Sequence, residues 1–204
     1  RVIVLERGRW WRPGQFPRSL RELVASYAGR HNPTGLWSMR FGRGTGNAFA
    51  RAFGGSSAVN YGISETPDDH AFAGWPVSVA ALAPAFARAR AMLGASSSPR
   101  ATGLGDRRFL DLVEPGRRRD LANTIDWERC TDCGRCVPGC NEGAKRSLDT
   151  TYLAAAMAGG AEVRLETQVS RIAPLAAGYR LELEGAGAAR DGAIEARRVV
   201  IAAG

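Results

Sequence analysis

Three groups of residues in this 204-residue chain have types and spacings suited to chemistry. The tightest is Cys130-Thr-Asp-Cys-Gly-Arg-Cys-Val-Pro-Gly-Cys140, which gathers all four cysteines into a C-x2-C-x2-C-x3-C run. Short spacers of this kind turn successive thiolates inward around one metal centre, and bacterial ferredoxins use the same run to hold an iron–sulfur cluster. Cys130, Cys133, Cys136 and Cys140 are therefore candidate metal ligands. In ferredoxins the fourth cysteine serves the other cluster of a pair, whereas this chain has no second half, and Asn141 stands where a proline usually follows. Zinc, a pair of disulfides, and a loop whose shape outlived a lost cluster remain alternatives.

The second group is Glu6, placed directly after the aliphatic run Val2-Ile-Val-Leu5. A carboxylate at the end of a buried strand accepts both ribose hydroxyls of a dinucleotide in bidentate fashion. A solvated strand-end carboxylate is the plain alternative. The glycine-rich phosphate turn that precedes such a residue by about twenty positions would lie before Arg1. The third group is Ala50-Arg-Ala-Phe-Gly-Gly-Ser-Ser-Ala-Val-Asn-Tyr-Gly62. Two glycines followed by two small hydroxyl residues let the backbone approach a large flat or phosphorylated ligand and offer it N–H and O–H donors. Ala58, Val59 and Asn60 distinguish the stretch from a flexible Gly-Ser linker, which lacks residues that pack.

The elements that must position these groups follow from periodicity. Residues 2–5 form a β-branched and aliphatic run without helical period, as a strand buried on both faces of a parallel sheet does. Residues 199–204, Val-Val-Ile-Ala-Ala-Gly, form a second such run, so the chain reads as an internal fragment cut in mid-domain at both ends. Residues 19–24 carry a short amphipathic helical pattern. Residues 35–47 are glycine-punctuated and predicted irregular; Gly42-Arg-Gly-Thr-Gly46 follows no apolar strand and is not a G-x-G-x-x-G fingerprint. Ser78 is the predicted N-cap of an amphipathic helix running to Leu93, with Pro84 in its early turns. Residues 94–119 read as a long surface excursion. Residues 148–158 have helical spacing, and residues 163–172 and 179–184 alternate at period two as strands with one solvated face. Residues 188–196 are the predicted connection to the last strand.

Apolar content of 45% in a chain of this length supports one sizeable core, and no apolar run approaches the ~18 residues a membrane helix needs. The formal charge of +8 raises nucleic acid as a partner. The basic residues are nearly all arginine, with Lys145 the only lysine, and they are scattered, including the Arg117-Arg-Arg119 triplet. That pattern points to coding bias and away from a binding stripe, so no nucleic-acid partner is expected. His31 and His70 have no partner pattern nearby and are read as surface or satisfied side chains.

Taken together, these stretches resemble the glucose-methanol-choline family of flavin oxidoreductases, most closely its cholesterol-oxidase-like branch. The likeness is carried by Val4-Leu-Glu-Arg-Gly8, Gly54-Gly-Ser-Ser-Ala-Val-Asn60, Gly74-Trp-Pro76, Gly143-Ala-Lys-Arg-Ser-Leu-Asp-Thr-Thr-Tyr-Leu-Ala-Ala-Ala156, Gln168-Val169 and the closing Val-Ile-Ala-Ala-Gly204. The resemblance implies an α/β fold: a Rossmann-like FAD-binding domain, with a parallel sheet and an antiparallel β-meander, and the beginning of a substrate-domain insertion. Residues 1–67 and 147–204 would belong to the FAD-binding domain and residues 68–146 to a helical and loop insertion carrying the cysteines.

By the same likeness Glu6 would bind the adenosine ribose of FAD. Gly55, Ser56, Asn60, Tyr61 and Ile63 would line the pyrophosphate and isoalloxazine, and Val169 would touch the adenine end. Tyr61 stands where the family more often has a small residue. The family's catalytic histidine and its partner would fall after Gly204. The implied reaction moves a hydride from an alcohol carbon to flavin N5 while a base takes the hydroxyl proton. The substrate would be a small-molecule alcohol, a sterol by analogy with the branch, and the acceptor oxygen or an electron carrier. Iron at the cysteines would favour a relay to such a carrier. The rival readings are an iron–sulfur electron-transfer or metal-binding module without alcohol chemistry, and an arginine-rich interaction domain. Compartment is open, although metal-bound cysteines would suit a reducing cytoplasm.

Overall fold

The computed structural model describes residues 1–99, 104–117, 121–188 and 192–203, so Arg118, Arg119 and Gly204 lie outside the described residues. The first strand, β1 (Ile3–Leu5), is half-buried along its length, and Val2 ahead of it is exposed. Burial on both faces, expected from the aliphatic run, is not met. Beyond β1 the chain runs beside residues 51–53, where the Phe53 N–H donates to the Arg9 carbonyl at 3.0 Å. A Cβ on Gly8 would sit 2.2 Å from the Arg51 carbonyl carbon, so the two backbones touch there.

Helix α1 (Leu20–Ala25) starts at a Ser19 cap. Ser19 Oγ accepts from the Glu22 N–H at 3.2 Å, and the Glu22 carboxylate reaches back to the Arg18 N–H at 2.7 Å. Strands β2 (Trp37–Gly42) and β3 (Thr45–Ala50) then form an antiparallel hairpin across a segment expected to be irregular. Its turn is Arg43 (φ 37°) and Gly44 (φ 81°), both left-handed, as a two-residue turn matching the right-handed strand twist demands. The hairpin leads back to a core of Trp11, Phe16, Leu36, Ala52, Ala58 and Val59.

Helix α2 (Val79–Leu93) carries the Ser78 cap, whose Oγ accepts from the Ala81 N–H at 3.2 Å, and ends at left-handed Gly94 (φ 59°). Pro84 lies inside it and withholds the N–H that a helix interior would use. The expected surface excursion is more ordered than its composition implied. It contains strand β4 (Ser96–Ser97) and helix α3 (Leu104–Asp111), and β4 pairs antiparallel with β5 (Ala122–Asn123).

Helix α4 (Tyr152–Ala158) follows a 3-10 turn at Leu148–Thr150 and feeds β6 (Glu162–Arg164). Strand β6 lies parallel to β1 in the register Ile3↔Glu162, Val4↔Val163, Leu5↔Arg164. Strands β7 (Gln168–Leu175), β8 (Gly178–Glu184) and β9 (Ala193–Ala196) form an antiparallel meander. The alternating run at 163–172 is thus two strands in different sheets. Glu166 in the left-handed region (φ 52°) and fully buried Thr167 turn the chain between them. The predicted connection at 188–196 supplies β9. Residues 199–203 form no strand, and Val200 and Ile201 are 89% and 77% exposed. A strand's N–H and C=O groups need a neighbour, and among the described residues none is paired with this run.

Candidate functional site

Glu6 is fixed by its own backbone. Its N–H donates to the Arg164 carbonyl at 3.0 Å and its carbonyl accepts from the Thr167 N–H at 2.9 Å, which closes the β1–β6 pair. The carboxylate folds back onto the Gly8 N–H at 2.6 Å. Burial pushes its carboxyl above the usual carboxylate range, outweighing the opposing pull of that N–H and of the Arg7 and Arg51 guanidiniums. Burial likewise lowers Arg7, and the neighbouring Arg51 charge adds to it. A desolvated carboxylate with lone pairs unspent is well suited to accept hydroxyl donors from a ligand. Thr167 carries the chain on to half-buried Val169 at the start of β7, so the residue expected at the adenine end follows directly from the clasp on Glu6.

Arg51, felt electrostatically by Glu6, also leads into the glycine loop. Gly54 (φ 96°) and Gly55 (φ 59°) are both left-handed. A Cβ on Gly54 would lie 3.0 Å from the Asp149 backbone nitrogen, whereas one on Gly55 would meet nothing within 4 Å. One glycine therefore permits packing inward, and the other leaves an open face. Ser57 staples the loop from below, donating to the Gly54 carbonyl at 2.6 Å and accepting from the Leu148 N–H at 3.0 Å. Ser56 Oγ accepts from the Ala50 N–H at 3.3 Å and remains exposed. Asn60 is exposed, its Oδ1 accepting from the Gly62 N–H at 3.0 Å, and Tyr61 and Ile63 are 65% and 53% exposed. The half-buried carboxylate, the open backbone face at Gly55 and the exposed Ser56, Asn60 and Tyr61 leave polar groups available to a ligand along residues 6–61.

The polar support of this loop was not assigned from sequence. Asp149 is buried; it accepts from Trp10 Nε1 at 2.9 Å and from the Ser147 hydroxyl. Lys145 is 5% exposed and donates from Nζ to the Asn60 carbonyl at 2.8 Å and the Cys136 carbonyl at 3.0 Å. Burial pushes its ammonium down to about 8, against the raising influence of Cys136, Cys140 and Asp149. The available signal was that the chain keeps one lysine among twenty-eight basic residues. His31 and His70 are both exposed.

The cysteine loop does not form the metal site its spacing implied. All four cysteines are present as thiols, but among the described residues no three or more His, Cys, Asp or Glu side chains converge as ligands of a metal ion. Left-handed bends at Asp132 (φ 59°), Gly134 (φ 67°) and Gly139 (φ 110°) instead distribute the thiols around a cavity of about 150 Å³ that Tyr61 and Trp127 also line. Burial pushes the Cys136 thiol up, opposed by the Lys145 charge. No described helix is long and apolar enough to cross a membrane.

Residues 36–204 match the family model described as GMC oxidoreductase. Among curated proteins, a cholesterol oxidase of Acinetobacter baumannii is 46% identical over 50 residues. That stretch is 24% of this chain and 9% of the relative's length.

Proposed function

The chain belongs to the GMC oxidoreductase family, whose N-terminal domain binds FAD on a Rossmann-like fold, and on that premise we propose that it forms the flavin-holding part of an enzyme oxidising an alcohol CH–OH group. When bound, FAD supplies a hydride acceptor at N5. The chain's own residues bind and orient it. Glu6 accepts the adenosine ribose hydroxyls; Gly55, Ser56 and Asn60 serve the pyrophosphate; Tyr61 and Ile63 border the isoalloxazine; Val169 covers the adenine end.

The observation that carries this reading is the junction at Arg51. There the strand end bearing Glu6 and the loop bearing Gly54 and Gly55 lie side by side, although 48 positions separate Glu6 from Gly54 in sequence. In this reading residues 1–67 and 147–204 form the flavin domain and residues 68–146 an insertion. The Trp10–Asp149 and Ser57–Leu148 hydrogen bonds support that division, because they tie the first segment to the third. The short likeness to a cholesterol oxidase makes a sterol or similarly hydrophobic alcohol the substrate to try first, with oxygen or an electron carrier as acceptor.

The test is the visible spectrum of the protein expressed from its whole gene, followed by bleaching with a panel of alcohols that includes sterols. Flavin bands that bleach with an alcohol under anaerobic conditions support the reading. A colourless protein that takes up no FAD overturns it.

A further inference from the structure

We propose that Lys145 is a positioning residue for the flavin: its ammonium clamps the Asn60 carbonyl to the Cys136 carbonyl, so that the cysteine loop sets where Tyr61 lies beside the isoalloxazine. The clamp stands on this chain's own geometry, and its bearing on the ring rests on the flavin reading.

Three adjoining backbone segments place Lys145, with residues 122–126 running between residues 62–64 and 144–146. On one side the Thr124 N–H donates to the Gly62 carbonyl at 2.7 Å and the Ser64 N–H to the Ala122 carbonyl at 2.8 Å. On the other, the Asp126 N–H donates to the Ala144 carbonyl at 2.7 Å and the Arg146 N–H to the Thr124 carbonyl at 2.8 Å. The Lys145 side chain crosses from the far segment to the glycine loop, where a Cβ on Gly62 would stand 3.8 Å from its Cδ. Its Nζ then reaches the Asn60 carbonyl at 2.8 Å and the Cys136 carbonyl at 3.0 Å.

Asn60 is held twice, since its Oδ1 also accepts from the Gly62 N–H at 3.0 Å, and the chain turns there with Tyr61 65% exposed. Tyr61 and Cys136 line the same cavity, so both arms of the clamp border one space. Both acceptors are neutral carbonyls, and burial lowers the ammonium to about 8. The chain thus bears a desolvation cost that an apolar side chain of equal length would avoid. Such a side chain could not donate to both carbonyls at once. Arginine, the basic residue at every other position but the two histidines, presents a rigid planar fork in place of a compact ammonium and does not substitute for Lys145.

The whole-gene protein is loaded with FAD, free flavin is removed, and the fluorescence of the bound flavin is read, because an aromatic ring beside the isoalloxazine quenches it. Tyr61→Leu should raise that fluorescence severalfold, and Lys145→Met should raise it too while the melting temperature stays that of a folded protein. In the double variant the rise should not exceed that of Tyr61→Leu alone, since both changes act through one ring. A parent that holds flavin beside a Lys145→Met variant of equal fluorescence overturns the clamp and leaves the flavin reading standing. Rises that accumulate in the double variant also overturn it, because Lys145 would then act elsewhere. No rise in Tyr61→Leu removes Tyr61 from the ring and sinks the inference as well. A parent that takes up no FAD overturns the flavin reading and this inference with it. Should Lys145→Met fail to fold, Lys145→Gln decides by the same readout. Its amide ends one bond short of the ammonium and cannot span both carbonyls, so fluorescence should rise; fluorescence at the parent level rejects the clamp.

Discussion

Glu6 carries two opposed demands that one substitution separates. Its folded-state carboxyl is raised above the ordinary value, chiefly by burial, so the carboxylate form is the costly one in the flavin-free protein. By linkage, the stability tied to this group is fully present below the unfolded carboxyl pKa and is lost as pH rises through the raised folded value. Glu6→Gln should therefore raise the melting temperature of flavin-free protein at pH 7 and leave it nearly unchanged near pH 3. The same variant should weaken FAD binding by about tenfold or more, since hydrogen bonds to a charged acceptor contribute about 1.5–3 kcal/mol each. Calorimetric melts at the two pH values and a flavin titration check both halves. Equal affinity in Glu6→Gln would remove Glu6 from the ribose site. Glu6 stood out in the sequence because a lone carboxylate after an aliphatic run is a strong local contrast. Asp149 and Lys145 were not, because their importance lies in partners 139 and 85 positions away.

At the level of elements, one cap was readable and turns were less so. Ser78 was expected to cap its helix and its hydroxyl accepts from the Ala81 N–H, whereas Ser19, read only as part of the pattern at 19–24, proves to cap α1 through the Glu22 N–H. Ser78→Ala should cost about 1 kcal/mol, read by chemical denaturation. The β2–β3 hairpin escaped notice even though Trp37, Met39 and Phe41 alternate, because Gly42, Gly44 and Gly46 dominate the local composition. Burial did not reinforce the pattern, since Phe41 is 78% exposed. Arg43 pays a left-handed backbone there that asparagine adopts more readily. Arg43→Asn should stabilise the protein by about 0.5 kcal/mol, again by denaturation. Gly54→Ala tests the glycine loop in the opposite sense. With φ at 96° and the Asp149 nitrogen 3.0 Å from the new Cβ, it should destabilise by about 1–3 kcal/mol and lower flavin retention; full retention would detach this glycine from the loop's function.

For the whole molecule, the decisive contacts join segments far apart in sequence, and single-sequence periodicity gives an element's type without naming its partner. That is why residues 199–203 read as a buried strand yet stay exposed, and why the run at 163–172 hid a break between two sheets. The parallel pair and the meander were legible as classes; their membership was not. Phe53 shows what the long-range joins carry. It is 2% exposed, sits directly before Gly54, and meets the Trp10 ring edge-on at 4.7 Å, while Trp10 in turn donates to Asp149. One ring thus underlies the glycine loop and ties residues 10 and 149 to it. Phe53→Ala should cost about 3–5 kcal/mol, the range for emptying a fully buried aromatic site, and should release flavin at temperatures well below the parent's melting point. Phe53→Leu keeps most of the volume and should recover more than half of that loss. If Phe53→Ala cost less than ~1 kcal/mol, the loop would not rest on this ring. If it cost the full amount with flavin binding intact, the cradle would be held by the Ser57 and Lys145 hydrogen bonds alone.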